Sequence, residues 1–213
     1  MNDQPAGEPT PQEFWESRYR ERDAIWSGNP NGSLVAVVGR ITPGTALDIG
    51  CGEGGDAVWL AEKGWKVTAL DISQTALDRG AAAASARGLG PEISWIQADL
   101  ATWTPDATYD LVAASFLQSP VHLPRAQVLR TAAQAVAHGG LFVVIAHASA
   151  PPWAHEAHEH HDQMLGSSEL STLVALDGAQ WELEVCEEHC RTAVSPEGEI
   201  AEIDDAVVVW RRL

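Results

Sequence analysis

Apolar residues along this chain fall into blocks of two alternating kinds. Ala46–Ile49, Lys66–Leu70, Ile93–Gln97, Asp110–Ala114 and Leu141–Ala146 are short runs rich in aliphatic side chains, the last apolar throughout. Between them, residues 56–63, 74–87 and 123–137 carry helical spacing. The first of these stops at Gly64 and the last at His138-Gly139-Gly140, both helix-ending signals. The alanine-rich 74–87 segment reads as helix because alanine has the highest helix propensity. Short apolar strands alternating with helices predict a parallel sheet covered on both faces.

The two ends differ from this middle. Residues 1–10 read as a loose polar tail and 11–22 as a helix with proline at its start. Phe14, Trp15 and Arg18 share one side of it, and Trp15 and Tyr19 stand four apart. A turn-rich stretch containing Trp26 follows, then a short helix over 33–41 with Ser33 as its cap. Beyond 150 the chain turns Pro- and His-rich over 151–162. A helix is expected at 168–177, then strands at 181–190 and 206–212 about the Ser195-Pro196-Glu197-Gly198 turn.

With 213 residues, 45% of them hydrophobic, the chain suits a single domain with a core of its own. Three segments are expected within it: a cap over 1–42, a ligand-binding core over 43–148, and a His-rich lid with C-terminal strands over 149–213. No apolar run approaches the ~18 residues of a membrane helix, and the polar start does not read as a signal peptide. The net charge of −17 argues against nucleic acid as a partner. Residues 151–213 alone hold fourteen acidic and three basic residues, a surface that would attract a cation or simply aid solubility. Cys186 and Cys190, on one strand, would lie ~13 Å apart, too far for a disulfide, which points to a reducing cytoplasm.

The candidate chemistry centres on Leu47-Asp48-Ile49-Gly50-Cys51-Gly52-Glu53-Gly54-Gly55, between a strand and a helix. Glycines there let backbone approach a ligand, and the helix start offers free N–H groups. Gly50, Gly52 and Gly55 satisfy G-x-G-x-x-G, and Asp71 follows at the distance of a ribose-binding acid, so a dinucleotide site is one reading. Three features oppose it. Asp48 sits two residues before the first glycine, where a carboxylate repels pyrophosphate but suits an ammonium group. Gly50, Gly52 and Gly54 form G-x-G-x-G. A third acid, Asp99, follows the third strand.

LDIGCGEG, Asp71, Ala98-Asp99-Leu100 and Tyr109-Asp110-Leu111-Val112 together resemble the class I S-adenosylmethionine-dependent methyltransferases. The N-terminal WESRY and WSGNPN are similar to small bacterial members of the tellurite-resistance and thiopurine methyltransferase types. The resemblance implies a Rossmann-like α/β three-layer sandwich, with about seven strands and the last one antiparallel. It implies S-adenosylmethionine as cofactor, S-adenosylhomocysteine as product and a small-molecule acceptor. Gly50, Gly52 and Gly54, with Cys51 and Glu53 in the same loop, would line the methionine portion near Asp48. Asp71 would take the ribose hydroxyls, with Ile72 against adenine; Ser73 follows and can also cap the next helix. Asp99 would bind the adenine amino group and Leu100 pack on the ring. Ser115, Phe116 and Leu117 would sit by the sulfonium, under a cap of Trp15, Tyr19 and Trp26.

Methyl transfer from a sulfonium needs a base only if the acceptor carries a proton. His147, after the fifth strand, and His122, after the fourth, are the candidates. Thiol, chalcogen, halide, amine and hydroxyl acceptors all remain open, with a soft nucleophile favoured. Ser115-Phe116-Leu117-Gln118 stands where an amide- or base-directed N-methyltransferase would carry NPPY or DPPY. His155, His158, His161 and Asp162 have helical spacing but do not form H-E-x-x-H, so no metal is assigned. His189, between Cys186 and Cys190, reads as structure. The alternatives are a non-catalytic S-adenosylmethionine-binding module, a nicotinamide-dependent oxidoreductase and a metal-binding protein built on the histidine run.

Overall fold

The computed structural model describes residues 9–150, 152, 164–194 and 198–213. Helix α1 (Pro11–Arg20) opens with a capping box, Thr10 Oγ1 accepting the Glu13 N–H and the Glu13 carboxylate accepting the Thr10 N–H. Helix α2 (Gly32–Val38) follows. The alternating region comprises β1 (Thr45–Ile49), α3 (Gly55–Glu62), β2 (Lys66–Asp71), α4 (Gln74–Ala86), β3 (Ile93–Gln97), β4 (Tyr109–Ser115), α5 (Arg125–Ala133) and β5 (Val136–His147). Helix α6 (Ser167–Val174) then precedes a hairpin of β6 (Trp181–Val194) and β7 (Ile200–Arg212).

Among the described residues seven strands form one sheet in the order β3-β2-β1-β4-β5-β7-β6. The first five are parallel, β7 runs antiparallel to β5, and β6 antiparallel to β7. The Rossmann-like sandwich expected from the sequence is therefore present, with the antiparallel last strand in place. Alternate residues of each strand serve opposite cores. Phe142, Val144 and Ala146 of β5 pack with Leu47, Ile49 and α5, whereas Leu141, Val143 and Ile145 join α2, α3 and Trp65 on the other face. The strand order reverses between β1 and β4. Ligands of such sheets bind in the crevice at this switch point, beyond the strand C-terminal ends. Among the described residues no helix is long and apolar enough to cross a membrane.

Three sequence-based expectations need correction. The helix expected over 123–137 ends at Ala133, and residues 136–140 are strand. Tyr109 N–H bonds the Ala135 carbonyl, Tyr109 pairs with Val136, and the ladder shifts register before Leu111. Gly139, at φ 79°, serves this irregular strand start rather than a helix end. The cap of α2 is Asn31, whose Oδ1 accepts the N–H groups of Ser33 (2.8 Å) and Leu34 (3.3 Å). Ser33 lies inside the helix, its hydroxyl 3.0 Å from His189 Nδ1 on β6. Finally, β6 and β7 extend well beyond the apolar runs that marked them. Their distal ladder is held by polar pairs, including Thr192 and Cys190 with Glu202 and Arg191 with Asp205. Ser195, Pro196 and Glu197 of the expected turn lie outside the described residues, as do His155, His158, His161 and Asp162.

Replacing Asn31 removes both N-terminal cap bonds of α2. Asn31→Ala is expected to cost about 1 kcal/mol and to lower the melting temperature by about 2–4 °C in calorimetry.

Candidate functional site

Beyond the C-terminal ends of β1, β2, β4 and β5 lies a cavity of about 690 Å³, within the range of roughly 300–1,000 Å³ usual for small-ligand sites. The loop after β1 forms its floor. Gly50 and Gly52 adopt positive φ, 67° and 54°, which a side chain resists at about 1–2 kcal/mol. The turn is closed by Cys51 N–H on the Leu70 carbonyl and Gly54 N–H on the Cys51 carbonyl, each 2.9 Å. Asp71, at the end of β2, fixes the loop to the neighbouring strand. One carboxylate oxygen accepts the Gly52 N–H and the other the Ser73 N–H, each at 2.9 Å. A carboxylate oxygen can accept more than one hydrogen bond, so both retain capacity toward the cavity.

The loop end of the cavity is dominated by acids. Asp48 is buried, and its Oδ2 has no hydrogen-bond partner. Burial, reinforced by Asp56 and Asp71, pushes its carboxyl well above the usual range. Burial also raises Asp56, although Asp56 accepts the Asn31 N–H at 2.6 Å. In Asp71 burial again works upward, and hydrogen bonds from Ser73, Gly52 and Ile72 only partly offset it. Such a pocket favours a cationic ligand group, because each unpaired buried carboxylate lacks a counter-charge. Burial likewise raises the Cys51 thiol, so this cysteine holds little thiolate at neutral pH and serves as a small loop residue.

The N-terminal segment roofs this floor through polar bonds. Glu53 accepts the N–H groups of Ile25 (3.0 Å) and Trp26 (2.9 Å) and an ion pair from Arg79 at 2.8 Å. Arg79 also donates to the carbonyls of Tyr19 and Arg22. Glu16 of α1 accepts hydroxyl bonds from Ser73 (2.7 Å) and Thr75 (2.6 Å) at the start of α4. Trp26 Nε1–H donates to the Tyr19 hydroxyl at 3.0 Å, and Trp15 Nε1–H to the Ser119 hydroxyl at 3.3 Å. A Cβ on Gly52 would lie 3.0 Å from that Tyr19 oxygen and 3.2 Å from Trp26 Nε1, so a side chain there would press on the roof.

The opposite end carries different chemistry. His147 Nδ1 lies 3.1 Å from Asp205 Oδ1, and Arg191 Nε–H donates to Asp205 Oδ2 at 2.6 Å. Burial acts to raise Asp205, but the bonds from His147 and Arg191 outweigh it and hold the carboxyl below its ordinary value. Phe116 stacks on His147 with ring centroids 3.9 Å apart, from a backbone at φ 54°. That conformation is unfavourable for a bulky residue and is held by Phe116 N–H on the Ile145 carbonyl at 2.7 Å.

Of the residues singled out from the sequence, Trp15, Tyr19, Trp26, Asp48, Gly50, Cys51, Gly52, Glu53, Asp71, Ile72, Asp99, Leu100, Ser115, Phe116, Leu117, His122 and His147 all line the cavity. Gly54 and Ser73 are not on its lining. A Cβ on Gly54 would lie 2.4 Å from the Trp95 ring, so its smallness admits that indole. Ser73 caps α4, its Oγ accepting the Ala76 N–H. The sequence reading missed Asp56, Gln118, Arg191 and Asp205. Asp205 carried a faint signal, an acid at the head of the apolar 206–210 run. The pairing that brings it opposite His147 is a property of the sheet register.

Residues 46–140 match the family described as "Methyltransferase domain". A probable thiol methyltransferase of Arabidopsis thaliana is 33% identical over 101 residues, covering 46% of this chain and 45% of that protein. A solved structure concerned with conversion of a disulfide bond into a thioacetal group during echinomycin biosynthesis is 28% identical. It superposes with a TM-score of 0.72 over 94% of this chain and 92% of its own. The N-methyltransferase NodS from Bradyrhizobium japonicum, solved with S-adenosyl-L-homocysteine, shares the fold at 16% identity and TM-score 0.61, over 100% of this chain and 93% of its own. The chain spans less than half the length of the first plant and Streptomyces relatives it matches.

The buried acids carry a stability cost with a definite sign. A carboxyl whose folded pKa is raised favours folding while protonated, and that contribution is lost as pH rises through the raised value. Asp48→Asn is therefore expected to stabilise the ligand-free protein near pH 8 by about 1 kcal/mol or more, a rise of roughly 2–4 °C per kcal/mol. The advantage should vanish near about pH 4. Thermal melts across pH check both halves.

Proposed function

We propose that this chain, a member of the class I S-adenosylmethionine-dependent methyltransferase superfamily, moves a methyl group from S-adenosylmethionine to a small-molecule acceptor, with sulfur favoured. The observation that carries the reading is the partnerless Oδ2 of buried Asp48 beside the glycine loop. A nucleotide with a pyrophosphate would place negative charge against Asp48 and Asp56. An amino-acid nucleoside instead brings an ammonium and a sulfonium to them. The residues present fit such a group. Asp48 and the Gly50–Gly52 backbone would hold its methionine part, Asp71 its ribose hydroxyls, and Ile72, Asp99 and Leu100 its adenine. When bound, the cofactor supplies a methyl group already activated by the positive sulfur.

The chain then has to position the acceptor and keep water out. Trp15, Tyr19 and Trp26 close the roof, while Phe116, Leu117, His122 and His147 border the acceptor end. In this reading the described residues up to 42 are the cap, 43–148 the cofactor-binding core, and strands β6 and β7 complete the acceptor side. The relatives named for a thiol methyltransferase and for conversion of a disulfide bond into a thioacetal group favour sulfur as the attacking atom of the acceptor. Cys51, Cys186 and Cys190 are free thiols, which accords with a reducing, cytoplasmic setting.

Calorimetric titration with S-adenosylhomocysteine, with NADH in parallel, tests the reading. One-to-one binding of the thioether alone is expected, and preference for NADH would overturn it. Asp71→Ala should weaken that binding at least about tenfold, the loss of one charge-assisted pair of hydrogen bonds. Asp48→Asn should weaken it as well, opposite in sign to its effect on the ligand-free protein.

A further inference from the structure

We infer that Asp205 and Gln118 are positioning residues that hold His147 as the base for a proton-bearing acceptor, which makes a thiol a better substrate than a halide or other protonless nucleophile. This rests on the methyl-transfer reading above and narrows it.

The imidazole of His147 is constrained from several directions at once. Gln118 clamps its backbone, the side-chain oxygen accepting the His147 N–H at 2.9 Å and the side-chain amide donating to the His147 carbonyl at 3.1 Å. Phe116 fixes the ring plane by stacking at 17°. Asp205 takes Nδ1, and is itself gripped by Arg191, whose guanidinium also stands 5.7 Å from the Phe116 ring centroid. Asp205 is 1% exposed, so this carboxylate exchanges few of its bonds with water. An ionised carboxylate accepts and cannot donate, so Nδ1 carries the proton and Nε2 is the basic nitrogen. His147 lines the cavity, and Nε2 lies on the side of the ring away from Asp205.

The parts of this arrangement come from four places in the chain: the end of β5, the loop after β4, β6 and β7. Cross-strand register puts Asp205 opposite both His147 on β5 and His189 on β6. His189 turns instead to Ser33, leaving Asp205 to His147 and Arg191. A nucleophile that arrives without a proton gives a base of this kind nothing to do. A thiol does. Its S–H bond breaks and the proton forms a bond to His147 Nε2. The freed sulfur electron pair makes the new bond to the methyl carbon, while the old carbon–sulfur bond breaks with its pair left on the departing thioether. The imidazolium, paired with ionised Asp205, later returns its proton to water.

Two measurements test this. Nitrogen-detected NMR of the cofactor-free protein should show His147 as the Nδ1-protonated tautomer, and Asp205→Asn should lose that preference. An Nε2-protonated imidazole in the wild type would overturn the inference whatever the turnover. In the second, methylation of an alkyl thiol, mostly protonated at pH 7, is compared with methylation of iodide. His147→Gln should lower the thiol-to-iodide ratio of kcat about 10²-fold or more, and Asp205→Asn about tenfold or more. A thiol acidic enough to be ionised already should restore most of the ratio. An equal fall for both acceptors would make the group structural and sink the inference. Wild-type turnover of iodide but of no thiol would sink it too, leaving methyl transfer itself standing. Failure to bind S-adenosylhomocysteine would bring down the parent reading instead.

Discussion

The Asp71 carboxylate joins what would otherwise be separate pieces. It ends β2, takes the Gly52 N–H with one oxygen and fixes the turn into α4 with the other through Ser73. The glycine loop is thereby pinned in a left-handed conformation open to few residues. That loop then sets the roof, because Glu53 receives the Ile25 and Trp26 backbone and Gly52 leaves room for the Tyr19 hydroxyl. Ser73, held by the same carboxylate, in turn donates to Glu16 of α1. Strand end, loop, helix start and cap are one hydrogen-bonded unit built outward from a buried acid.

The sheet order explains why two unlike chemistries share one cavity. Reversal between β1 and β4 places the acidic loop on one side of the crevice and the ends of β4 and β5 on the other. The long antiparallel hairpin then brings β7 beside β5, so that Asp205 of β7 and Arg191 of β6 meet His147 at the end of β5. The acids are raised toward the neutral form where a cation would restore their charge, whereas Asp205 is kept ionised by partners already in place. One end offers buried acids to a cationic ligand group, and the other is complete within the protein.

Much of this was legible in the sequence, for identifiable reasons. Parallel strands buried on both faces must be apolar runs. A glycine loop with Asp48, Asp71 and Asp99 at successive strand ends suits a ligand that carries both a cation and hydroxyl groups. The failures were of another kind. Residues 136–140 read as a helix end because a glycine at positive φ serves a helix terminus and an irregular strand equally well. The distal halves of β6 and β7 carry polar cross-strand pairs in place of hydrophobic alternation, so periodicity did not mark them. Gly54 belongs to the motif by spacing, yet it faces Trp95, a neighbour on β3 that spacing does not reveal. Asp205 and Arg191 needed register, which is a long-range property.

The two ends of the cavity also divide the costs of function differently. Asp48, Asp56 and Asp71 hold a buried charge deficit that stability alone would remove, since loss of hydration is the main cause raising each of them. A ligand cation converts that deficit into binding energy, because restoring an ion pair in a low-dielectric site recovers part of the desolvation penalty. At the other end the expense is conformational. Phe116 occupies a left-handed backbone so that its ring can lie on His147, its N–H on the Ile145 carbonyl and its carbonyl accepting the Gln118 N–H keeping it there. Strain of that sort persists only where surrounding contacts over-determine it, and here they converge on a single imidazole. The electrostatic cost is thus relieved by whatever occupies the loop end, while the conformational cost is borne permanently by the folded chain. That difference fits the proposed methyl transfer, in which a bound cofactor would come and go while the geometry that meets the acceptor is ready beforehand.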